Sequence, residues 1–99
     1  MHVLTKKQTS RCTDGSVVNE YILSDPVDTQ FISILEQQGS VTIRNLGALQ
    51  MITFQDGDWL SMKGMTGDSI LYITHRKTDK KRAEQYIDSL TRLYNTIKA

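Results

Sequence analysis

The chain has 99 residues, 38% of them hydrophobic and 23% charged, and its twelve Lys and Arg against eleven Asp and Glu leave a net charge of +1. These values describe one ordinary folded domain over residues 1–99 and exclude a disordered, highly charged chain. They also exclude a whole-molecule field that draws the protein onto nucleic acid or an acidic membrane; only a local patch is left for that.

The first sixteen residues are polar, and Thr13-Asp14-Gly15-Ser16 reads as a turn. Val3-Leu4 starts a short edge strand paired through that turn to the next one, the alternative being a mobile arm over residues 1–16. Val17 to Leu23, rich in β-branched and aromatic residues, is a strand. A helix follows over Pro26 to Gln38. Asp25 is placed to cap it, Pro26 fits its first position, and Asp28 suits the positive end of its dipole. Val27, Phe31, Ile34 and Leu35 share one face, and Gly39 supplies a left-handed residue to end it.

Four strands come next: Val41 to Leu46, Leu49 to Phe54, Trp59 to Lys63, and Ser69 to His75. Gly47, Gln55 to Asp58, and Gly64 to Asp68 separate them, and connections this short make the neighbours antiparallel. A long helix from Asp79 to Ile97 closes the chain, with Ala83, Tyr86, Ile87, Leu90, Leu93, Tyr94 and Ile97 as its apolar stripe.

The order β(β)-α-β-β-β-β-α predicts an α+β two-layer sandwich, an antiparallel sheet of five to six strands with both helices on one face. Over most of the chain this order of elements resembles the TATA-binding-protein-like and helix-grip topologies. The likeness is one of element order and carries over no functional residue.

The turn at Asp56-Gly57 sets the expected register. With these two as the turn, Gln55 faces Asp58, Phe54 faces Trp59, Thr53 faces Leu60, Ile52 faces Ser61 and Met51 faces Met62. One face then collects Leu49, Met51, Leu60 and Met62 and suits the helices. The other carries Ile52, Phe54, Trp59, Ile70 and Tyr72, interleaved with Gln50, Ser61, Lys63 and Arg44. An uncovered aromatic face of that kind asks for a partner. Ile52, Phe54, Trp59, Ile70, Tyr72 and Lys63 are therefore the interface candidates.

The basic run from His75 to Arg82 is the other local signal. Arg76, Lys77, Lys80, Lys81 and Arg82 gather where the last helix starts, so its free amides and these cations are the candidates for an anion. The competing reading is a solvated strand-to-helix corner capped by Thr78 or Asp79, with Glu84 and Asp88 offsetting the charge a turn later. His2, His75 and the single Cys12 show no metal-ligand spacing, Asp56-Gly57-Asp58 is too short for a calcium loop, and no nucleophile has a base beside it in sequence. No metal, cofactor or catalytic set is expected.

The lone cysteine excludes an intramolecular disulfide, and no signal peptide or membrane-length apolar run is present, so a cytoplasmic location is expected. The functional expectation is a non-enzymatic domain that uses an open sheet face for protein–protein contact or homodimerisation. The alternatives are single-stranded nucleic acid on the same face, with Phe54, Trp59 and Tyr72 stacking and the basic corner following the backbone, and a small apolar ligand between the sheet and the last helix.

Overall fold

The computed structural model describes residues 1–11 and 15–98. Cys12, and Thr13 and Asp14 of the Thr13–Ser16 turn, lie outside the described residues. The elements run β1 (Val3–Arg11), β2 (Ser16–Leu23), α1 (Thr29–Gln38), β3 (Ser40–Leu46), β4 (Leu49–Asp56), β5 (Leu60–Met65), β6 (Ile70–Arg76), a 3-10 turn (Lys77–Asp79) and α2 (Lys80–Lys98). The six strands form one antiparallel sheet in the order β1-β2-β6-β5-β4-β3. The α+β sandwich read from the sequence is thus the observed architecture. Residues 3–11 form a full edge strand with two register irregularities, longer than the short piece expected.

The helices and one face of the sheet share a single core. Phe31, Ile34 and Leu35 of α1 and Ala83, Ile87 and Leu90 of α2 are buried with Tyr21, Ile52, Phe54, Met62, Leu71 and Ile73 of the strands. Burying a side chain of this size stabilises the fold by roughly 1.5–3 kcal/mol, so these positions outweigh any surface contact. α1 meets α2 through an edge-on contact of Phe31 with Tyr94, their ring centres 6.1 Å apart.

Two of the expected helix boundaries need correction. The cap of α1 is Asp28, not Asp25: its carboxylate accepts from the Phe31 amide at 3.0 Å. The reason lies one residue earlier. The Val27 amide donates to the Asp68 carbonyl and its carbonyl accepts from the Gly67 amide, each at 2.8 Å, so this residue is held outside the helix. Asp25 pairs instead with the Met1 ammonium at 3.0 Å. Gly39 is extended rather than left-handed (φ −171°), and its role is close approach: an added Cβ would lie 2.5 Å from the Gln55 carbonyl oxygen.

The expected β4–β5 register is also wrong. Asp56 pairs with Leu60 and Phe54 with Met62, so the turn is Gly57-Asp58-Trp59, with Gly57 in the left-handed region at φ 56°. One extra turn residue reverses which side chains share a face. Ile52 and Phe54 therefore join Leu60 and Met62 under the helices and are fully buried. The energetic reason is direct: the observed register buries an aromatic ring that the expected one leaves in water.

Candidate interaction face

Alternation along each strand sends one set of side chains to the helices and leaves the other uncovered. In β2, Val17, Asn19, Tyr21 and Leu23 are buried, while Val18, Glu20 and Ile22 are half-buried on the far side. The ladders align these with their neighbours. Glu20 pairs with Tyr72, and Tyr72 with Lys63. Lys63 pairs with Thr53, and Thr53 with Thr42. Lys7 pairs with Glu20 from the edge strand. This gives a polar level across the middle of the open face, with Tyr72 at its centre and 42% exposed.

A second level, two residues along each strand, is apolar. Ile22 pairs with Ile70, and Met65 with Met51. Arg44, exposed and paired with Met51, ends this level on the edge strand β3, and Leu46 and Leu49, paired two residues further along and 45% and 54% exposed, lie beyond it. On the other side of the polar level lie Val18, Thr74, Ser61 and Gln55. Along the strands the open face thus runs from two polar levels to an apolar one, not the aromatic cluster the sequence suggested.

Of the six interface candidates, Lys63, Ile70 and Tyr72 are on this face. Ile52 and Phe54 are core. Trp59 lies in the β4–β5 turn on the helix side, half-buried, with its ring 5.4 Å from that of Tyr86 and edge-on to it. The residues missed were Glu20, Ile22, Met51 and Met65. Strict alternation in β2 was the signal for the first two; the turn length hid the others.

The basic corner is real as a cluster of exposed cations: Arg76, Lys77, Lys80, Lys81 and Arg82 are all at the surface. Its members divide, however. Arg82 lies over the Trp59 ring, its guanidinium carbon 3.9 Å from the ring centre, which is a stacking role. Lys77 and Lys80 border a small pocket of about 250 Å³ with Lys6, Gln8, Asn19 and His75. His75 is not part of the exposed run. It is buried, with Nδ1 2.7 Å from the Arg76 carbonyl and Nε2 3.1 Å from the Asn19 amide nitrogen. A carbonyl only accepts, so Nδ1 donates and Nε2 is left to accept from Asn19.

A larger groove of about 600 Å³ runs between β1 and α2. Lys6 and Glu84 form an ion pair beside it, and this neighbour holds the Glu84 carboxyl below the usual range. Tyr21 borders it too. Its buried hydroxyl has no hydrogen-bond partner, and burial, with a smaller push from Glu84, raises its pKa to about 12. Asp88 and Arg92 add charge to its rim, and Met1, Val3 and Ile87 are apolar residues of its lining.

No group of three metal-ligating side chains occurs among the described residues, and no helix among them is long and apolar enough to cross a membrane. No protein-family model, curated protein or solved structure matches the chain. The expected likeness to TATA-binding-protein-like and helix-grip topologies gains no support from these comparisons, and the functional argument rests on the surface itself.

Proposed function

We propose that this protein is a small non-enzymatic interaction domain whose open sheet face binds another protein surface. The observation that carries the reading is the apolar level of Ile22, Ile70, Met65 and Met51 beside the exposed ring of Tyr72, with the polar row of Glu20 and Lys63 along one side and Thr5 and Arg44 at its two ends. Apolar and Met side chains within a polar border are the composition of a protein–protein interface. The single Cys12 favours a reducing compartment such as the cytoplasm. The nucleic-acid alternative loses its stacking platform, because Phe54 is buried and Trp59 and Tyr72 are on opposite sides of the sheet. The apolar-ligand alternative has a place in the groove between β1 and α2, where Met1, Val3 and Ile87 lie beside the Lys6–Glu84 and Asp88–Arg92 ion pairs.

The test places a photo-cross-linking amino acid at Tyr72 and, as a control, at the exposed helix position Gln85, in cells producing the full chain. A discrete protein adduct from position 72 and none from 85 is the expected result. No adduct from position 72 refutes the reading.

A further inference from the structure

We infer that the occupant of the open face is a second copy of this chain, packed face to face about a two-fold axis running along β6. This rests on the interaction reading above and names its partner. β6 is flanked by β2 and β5. A half-turn about it exchanges those two strands and keeps every residue at its own level along them. At the polar level the order is Glu20, Tyr72, Lys63. The half-turn therefore sets Glu20 of each copy over Lys63 of the other and brings the two Tyr72 rings together on the axis. One carboxylate and one ammonium, placed one strand to either side of a central aromatic residue, are complementary to their own rotated image.

The next level obeys the same symmetry. Ile22 pairs with Ile70, and Met65 follows Gly64, which pairs with Leu71, so Met65 continues the level on β5. Rotation packs Ile22 against Met65 of the second copy and Ile70 against itself. An axis across the strands would instead lay this apolar level on the polar level of Val18, Thr74 and Ser61. The pattern thus selects one of the two ways to make an isologous contact. The sheets would stack about 10 Å apart with nearly aligned strands, as in β-sandwiches. Five strands spaced about 4.8 Å, each contributing roughly 20 Å of length, offer on the order of 500 Å² per copy before side-chain relief. That is at the small end for a stable dimer, so the affinity belongs in the micromolar range.

Sedimentation equilibrium of the full chain, from low to high micromolar concentration, tests this. The expected result is a reversible monomer–dimer equilibrium. Glu20→Lys or Lys63→Glu alone should weaken it roughly tenfold or more, since by symmetry each change makes two like-charge contacts. The double variant exchanges the charges and should recover most of the affinity. Circular dichroism should be unchanged in all three, because neither side chain is in the core. A wild-type chain that stays monomeric throughout overturns the inference. So does a dimer that neither reversal weakens, or one that the double variant does not restore. Cross-linking from Tyr72 separates this failure from that of the parent reading. An adduct of another mass, with a monomeric pure chain, rejects the second copy but leaves the open face as an interface.

Discussion

At Gly39 a Cβ would sit 2.5 Å from the Gln55 carbonyl oxygen and 3.0 Å from the Phe54 ring, both parts of a strand that cannot retreat. At Gly64 the nearest obstacle is the Leu71 Cδ2 methyl at 2.7 Å, the movable end of a side chain. The two glycines should answer differently to the same change. Gly39→Ala is expected to cost about 2–3 kcal/mol and Gly64→Ala about 1 kcal/mol, measured by urea unfolding of each variant. Equal costs would mean that the backbone clash at Gly39 relaxes. The carboxylate of Asp28 shows a different kind of economy: it accepts from the Phe31 amide and, at 2.7 Å, from the Tyr94 hydroxyl. One side chain thereby caps α1 and ties it to α2.

The β4–β5 hairpin is where an element's register decides which side chains reach the open face. Gly57-Asp58-Trp59 as the turn turns Phe54 inward and leaves Trp59 as a lid on the end of the core, against Tyr86 and beneath Arg82. Trp59→Ala should therefore act on stability, not on association. The expected loss is about 2 kcal/mol, from half-buried aromatic area and the edge-on ring contact, read as a lower urea midpoint. The dimerisation constant should be unchanged under conditions where the variant is folded. A fully stable variant that no longer self-associates would place Trp59 in the interface after all. At the α2 start, the cations of the first turn lie beside Asp79 and, one turn on, Glu84, so charge there is locally offset.

Across the whole molecule, buried tyrosines set a limit on alkaline stability. Tyr21 is raised from 10.0 to about 12 by burial and then by Glu84. Tyr94 is raised from 10.0 to about 12 by its hydrogen bond to Asp28 and then by burial. In both, the folded state holds its proton where the unfolded chain has released it. Their contribution is complete below pH 10 and disappears as pH climbs through the folded values near 12. Urea midpoints should stay level up to about pH 10 and fall above it. Tyr94→Phe should start lower at neutral pH, having lost the Asp28 bond, and fall less steeply. A midpoint that is flat to pH 12 would show that neither hydroxyl is protected.

Element identity and order were legible from local patterns alone. Alternation marked the strands, three- and four-residue spacing marked both helices, and connections of a few residues left antiparallel pairing as the only choice. Those signals depend on each residue and its near neighbours, so they survive without knowledge of the fold. The side of the sheet on which Ile52 and Phe54 lie did not follow in the same way. It depends on whether the turn after β4 holds two residues or three, and Asp56-Gly57-Asp58 is compatible with either. Packing against α1 and α2 decides it, because burying Phe54 is worth more than any preference of the turn. The same holds for the cap of α1. Asp25 and Asp28 are equally good capping residues by type, and the choice falls to Asp28 because the distant turn at Gly67 and Asp68 takes both backbone groups of Val27. The level of Glu20, Tyr72 and Lys63 joins the consecutive strands β5 and β6 to β2, about fifty residues earlier in the chain, and only their assembly into one sheet brings those charges to either side of a single ring.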